Sequence, residues 1–371
     1  MTSIVQIGMD VHKNNFTVCC FDIESEQVKY TVTLEPDYRQ IIKYIQNVRK
    51  RYPEGTEFEC GYEAGCLGYS LYNDLTSHGV KCTILAPTTM SEHDNKIIKT
   101  DKRDAANIAK CLAYHTYKMV YVLDDEDNSV KEYIRMRDDH SKEWRRIKQQ
   151  ILALCLRNGS VYRDGDHWTL KHITWLNHLT FKNAVLQETF EEYLSTFNYL
   201  KDKLERLDKR IEEFAQKEKY IEKVKRLSCL LGIKEHTALS LVVEVGDYNR
   251  FPKAKSFSAF LGLVPGEHTS DKNRNILSIT KAGNTHLRRL LVEAAQCYPK
   301  GKIGYKSAAL KKRQQGNPPK VIAYADKANE RLRRKAYHLI LGEKKKRNIA
   351  VVAIARELAC FVWGLMTDHV D

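Results

Sequence analysis

The chain has 371 residues, 43% of them hydrophobic and 9% aromatic, which is enough apolar material for a packed core and excludes a disordered protein. By length it divides into roughly two to three domains. Its 61 Lys and Arg outnumber 47 Asp and Glu, for a net charge of +14, and no run of about 18 apolar residues stands ready to span a bilayer.

Met1 to Lys13 lacks the basic stretch and long apolar stretch of a secretory signal. Residues 3–24 read as a strand, a polar turn at Lys13-Asn14-Asn15 and a second strand. A third strand is expected at Lys29 to Leu34. A helix follows over residues 37–50, where Ile41, Ile42, Ile45 and Val48 share a face. Glu57 to Glu63 reads as a strand that stops before Gly65. Then come a helix at Tyr69 to His78, a strand at Lys81 to Ala86 and a helix from Thr100 to Tyr114. Strands first, then helix and strand in alternation, predict an α/β domain with a mixed sheet over residues 1–123.

Residues 124–219 have little strand signal. Val130 to Leu156 reads as one long helix. Phe190, Tyr193, Phe197, Leu200, Leu204, Leu207, Ile211 and Phe214 recur at alternating spacings of 3 and 4, the seam of a coiled coil. The two segments form a helical hairpin, and the seam either joins two subunits or packs within the chain. Residues 220–371 read as a mainly α domain. In it, helix, Gly232 turn and helix have the outline of a helix-hairpin-helix, whose turn offers N–H groups to phosphate, or of an ordinary helical hairpin. Helical apolar spacing returns in ERLRRKAYHLIL and NIAVVAIARELACFVWGLM.

Charge is unevenly placed. Residues 271–347 hold 21 Lys/Arg and 5 Asp/Glu, a balance of +16, against −2 for the rest of the chain. Such a stretch suits a surface facing polyphosphate, or else a solubilising tail. The ten cysteines form no Cys-x-x-Cys pair and no zinc-ligand spacing with histidine, as expected of reduced thiols in a cytosolic protein.

Asp10 and Glu63 stand at predicted strand ends, and Asp101 and Asp104 are three apart at the start of a helix, on one face. Four carboxylates so placed can converge on a hard divalent cation, Mg²⁺ or Mn²⁺. Each also has a purely structural reading, as helix cap, first-turn charge or turn former.

GMDVHK at 8–13, Glu63-Ala64-Gly65 and KTDKRDA at 99–105 resemble the DEDD signature of a RuvC-like (RNase H-like) nuclease domain. FLGLVPGEHTSDKNRNILSITKAGNTHLRRLLVEAA at 260–295 resembles the second signature of the insertion sequence 110 transposases, relatives of the Piv DNA invertases. The resemblance implies a recombinase of a mobile element, guided by a structured bridge RNA that pairs with donor and target DNA. Asp10, Glu63, Asp101 and Asp104 would be catalytic metal ligands and Ser270 the nucleophile, in a composite site shared between subunits of a dimer or tetramer. Relatives commonly place glycine after this serine, whereas here Asp271-Lys272 follow, and the adjacent Thr269 also carries a hydroxyl. Arg274, Lys281, Asn284, Arg288 and Arg289 surround the loop and suit phosphate contacts. Tyr298, Tyr305 and Tyr324 could stack on bases or pack under lysine stems. Two other readings stay open: a RuvC-like junction nuclease using metal-bound water, and a non-catalytic nucleic-acid-binding protein.

Overall fold

In β1 (Ile4–Val11) residues 5–9 are buried, on both faces, which marks the central strand of a sheet. The computed structural model describes residues 4–65, 67–90, 100–270 and 273–370, with side chains at all of these but 88, 268–270, 273 and 274. It divides into two units, Met1–Val122 and Leu123–Asp371.

In the first unit β1 is followed by β2 (Phe16–Asp22), β3 (Gln27–Leu34), α1 (Tyr38–Arg49), β4 (Glu57–Glu63), α2 (Ser70–Ser77), β5 (Lys81–Leu85) and α3 (Asp101–Tyr114). The sheet runs β3-β2-β1-β4-β5. β2 is antiparallel to both β1 and β3, and β4 lies parallel to β1 and β5. This is the mixed sheet the sequence predicts, with element ends within one or two residues. Side chains alternate across it. Val5, Ile7 and Met9 pack with Ile41, Ile45, Leu71 and Leu75 of α1 and α2. The opposite face takes α3, where Cys19 and Phe21 meet Ala105 and Ala109.

Among its described residues the second unit is helical apart from one hairpin. α4 (Asp125–Arg157) opens it, capped by the Asp124 carboxylate, which accepts from the Asp127 N–H. α5 (Leu170–His178) and α6 (Ala184–Ala215) complete a helical hairpin. The predicted seam is satisfied within the chain. Phe190 and Phe197 cluster with Ile151, Leu154 and Cys155 near the end of α4, and Ile211 joins Val130 and Ile134 near its start. The alternative of a seam between subunits therefore loses its apolar surface: Phe190, Phe197, Leu200, Leu204 and Ile211 are already buried.

α7 (Glu218–Ser228), α8 (Glu235–Val245), α9 (Ala254–Phe260), the hairpin β6 (Pro265–Ser270) and β7 (Asn273–Ile279), α10 (Thr285–Ala295), α11 (Ala308–Gln314), α12 (Pro319–Tyr337) and α13 (Arg347–Met366) follow. A Cβ on Gly232 would lie 2.3 Å from the Ala294 carbonyl oxygen, so this glycine admits α10 rather than leaving its turn open to a phosphate. By length and composition α13 is, among the described residues, the one helix long and apolar enough to cross a bilayer. Here it is a core helix, with Val351, Ile354, Ala355, Leu358, Ala359 and Val362 buried. The described cysteines are free and mostly buried, and burial pushes Cys20 and Cys229 up to about 11, so both stay as inert thiols.

Candidate active site

Parity along the strands places the acids. Gly8 of β1 pairs with Gly61 of β4, and Met9 with Tyr62, so Asp10 and Glu63 follow side by side at the C-terminal ends of two parallel strands. Gly8 and Asp10 share a face of the strand, the one covered by α3. A Cβ on Gly8 would lie 2.0 Å from the Ala105 oxygen and 2.4 Å from the Ala109 nitrogen. Only glycine lets α3 approach this closely, and that approach carries the start of the helix, with Asp101 and Asp104, to the strand ends. α3 is capped by Thr100, whose hydroxyl accepts from the Arg103 N–H. Thr100 thus takes the cap role and leaves the Asp101 carboxylate to other partners.

Asp10, His12 and Asp101 each offer a ligand atom, all within 4.8 Å of one another. His12 Nε2 stands 3.2 Å from Asp10 Oδ2. Burial, and secondarily the negative charges of Asp104 and Asp101, push the Asp10 carboxyl above its ordinary value, while His12 pulls it down. Carboxylates gathered at this cost, with a histidine beside them, are of a kind that could hold a divalent cation. Glu63 stands exposed at the end of β4. It and Asp104 are outside the 4.8 Å group, although Asp104 is near enough for its charge to act on Asp10. His12 belongs to this group although the four acids alone stand out in the sequence. The D-x-H spacing in MDVHK, which puts two side chains on one face as the strand ends, was the available signal.

In the second unit the base of the β6–β7 hairpin is a backbone-on-backbone junction. Gly262 has φ +65, and a Cβ there would lie 2.1 Å from the Ala282 oxygen. Gly283 meets the Phe260 oxygen just as closely. Lys281 N–H donates to the Gly262 carbonyl and Asn284 N–H to that of Phe260. β6 ends at Ser270, and Thr269 pairs with Arg274 across the hairpin. The side chains of Ser270 and Arg274, both singled out in the sequence, lie outside the described residues.

Residues 7–157 match a family model for DEDD transposases of the IS110 kind, and residues 224–301 match the family described as Transposase IS116/IS110/IS902. The transposase for insertion sequence element IS1533 of Leptospira borgpetersenii is 33% identical, over 92% of this chain and 98% of the relative. The chain belongs to the IS110 family of transposases. The transposase for element IS1111A of Coxiella burnetii is 25% identical over 99% of this chain and 91% of its own. That for IS1328 of Yersinia enterocolitica is 23% identical over 99% and 98%.

The first match in this transposase spans all four acids, and the second spans Ser270 and the basic residues after it. The structure gives several of those basic residues protein partners. Arg288 donates to the Leu261 and Ala282 carbonyls at the hairpin base. Arg289 pairs with Asp138 and Glu293. Asn284 caps α10 and donates to Glu244. These three hold the hairpin and α10 in place, and Lys281 is exposed. Tyr298 is buried and donates to the Leu231 carbonyl, and Tyr324 packs edge-on against Phe361, which leaves Tyr305 as the exposed tyrosine of the three.

Proposed function

We propose that this transposase is an RNA-guided DNA recombinase whose RuvC-like first unit holds a divalent metal and whose second unit supplies Ser270 as nucleophile. The observation that carries the reading is the meeting of Asp10 and Asp101 at the C-terminal end of the central strand, under a helix that a glycine admits. The mixed sheet order and the acids at the ends of parallel strands support the RuvC-like assignment.

Asp10, Glu63, Asp101 and Asp104 would hold Mg²⁺, or Mn²⁺ in its place, with His12 beside them. A bound ion supplies neutralisation of charge on a phosphodiester and activation of an attacking hydroxyl. The chain's own groups do the rest. Ser270 Oγ attacks phosphorus, the bond to the 3′ oxygen breaks, and the hydroxyl proton ends on that departing oxygen. The phosphoserine ester keeps the bond energy, so a new 3′-hydroxyl can displace the serine without ATP. Exposed Lys311, Lys312, Lys344, Lys345, Lys346 and Arg347 face the polyanions, and two duplexes require a dimer or tetramer. The work belongs in the bacterial cytosol, on the element's own DNA.

Sequencing the RNA that co-purifies with the protein, expressed with its native flanking DNA, tests the guidance. One discrete folded RNA, with loops complementary to the element ends and the insertion site, is expected. Bulk cellular RNA that a high-salt wash removes would leave a junction nuclease as the better reading.

A further inference from the structure

Within the second unit, Asp138 of α4 and Glu244 of α8 lie 148 and 42 positions from His286 of α10, yet both hydrogen-bond its ring. Nδ1 stands 2.6 Å from Glu244 Oε1, and Nε2 stands 2.8 Å from Asp138 Oδ2. A neutral imidazole has one N–H, so it could donate to only one of them. Neither acid is free to carry the second proton. Glu244 also accepts two bonds from Arg135 and one from Asn284. Asp138 accepts from Arg137 and Arg289 and stands 3.2 Å from His236 Nε2. Acids this saturated with donors are ionised, and the ring between them is an imidazolium.

We propose that His286 is a positioning residue acting as a largely buried cation: by joining Asp138 to Glu244 it clamps α10 to α4 and α8, and through Asn284 it fixes the base of the β6–β7 hairpin. Asn284 is the mechanical link. Its amide donates to Glu244 Oε2 at 2.6 Å, its carbonyl caps the Leu287 N–H, and its own N–H holds Phe260 beneath the hairpin. Neutral His286 would turn a lone pair toward one carboxylate and open one side of the clamp.

The surrounding groups fix the direction of the pH response. α4 presents Asp138, with Lys131, Arg135 and Arg137 beside it; α6 presents Asp208 to Arg137; α8 presents Glu244 and His236; α10 adds Arg289. Burial alone would lower His286, but the hydrogen bonds and charges of Asp138 and Glu244 outweigh it, so its folded value lies above the ordinary 6.5. The clamp is therefore complete below that ordinary value and is lost as pH rises through the raised one.

Hydrogen exchange of the full-length protein, read by mass spectrometry from pH 6 to 9 and corrected for intrinsic rate, tests this. In wild type the protection of residues 279–288 should fall about tenfold as His286 titrates, and His286→Gln should lie about tenfold lower at neutral pH with no such slope. Exchange at the ring C2 of His286 in the wild type should titrate above about 6.5 and decides the matter even if the variant does not fold. A variant that keeps the wild-type pH slope, or a wild-type ring that titrates at or below that value, overturns the proposal. No DNA enters the measurement, so its failure would leave the role of Ser270 untouched.

Discussion

Gly8→Ala should lower the melting temperature of the first unit by about 10 °C and abolish strand exchange in the protein that remains folded. The added methyl would sit 2.0 Å from one backbone atom of α3 and 2.4 Å from another. Backbone cannot rotate out of the way as a side chain can, so the helix must back off the sheet, at a cost of about 3 kcal/mol or more. Asp101 and Asp104 travel with the helix and leave Asp10 behind. Gly61→Ala is the control, because two of the three atoms its Cβ meets, at 2.9 and 3.0 Å, are methyl ends of Leu85 and Leu112. It should cost less and leave the acids nearly in place. Thermal unfolding and strand exchange on both variants check the ranking. Equal effects at the two glycines would mean that the approach at Gly8 is not what gathers the acids.

Glu244→Gln should be the most damaging near-isosteric change in the second unit. The carboxylate is almost wholly buried and is shared by Arg135, His286 and Asn284. Neutralising one member of a buried charge network costs about 3–5 kcal/mol, here because His286 would keep Asp138 alone and Arg135 would lose its two-point acceptor. Burial pushes Glu244 up, but His286 and Arg135 outweigh that and hold it at about 2 against an ordinary 4.5, a shift equivalent to about 3 kcal/mol. Because the folded value is the lower one, this stability is present above about pH 4.5 and drains away as pH falls toward 2. Urea unfolding should therefore show wild type losing stability between about pH 5 and 3 more steeply than Glu244→Gln. Parallel acid profiles would show that the network contributes little.

The sequence was legible where physics is local. Alternation and helical spacing placed the five strands of the sheet and the helices that cover it, and strand-end acids pointed to the candidate site because strand ends and helix starts are where side chains leave a sheet together. Long-range pairing was not legible. Nothing near Arg289 in sequence announces Asp138, and Glu244, a lone acid in the apolar run LSLVVEV, offered only the hint that a charge so placed must find a partner. The protein partners of Arg288 and Arg289 were not legible either, because an arginine free in solvent and one tied to carbonyls or carboxylates look alike in one dimension. The seam of α6 was ambiguous for the same reason: a heptad pattern records that a face is buried, and the partner, here α4 of the same chain, is not written in it.

The most direct measurement is mass spectrometry of the peptide spanning residues 260–281 after the purified protein, with its co-purified RNA, has met DNA carrying the element ends. A nucleotide adduct on Ser270, absent from Ser270→Ala and lost from Asp10→Asn or on chelation of divalent metal, is the result this account predicts. Cleaved DNA with no adduct on that peptide would contradict it and assign the attack to water.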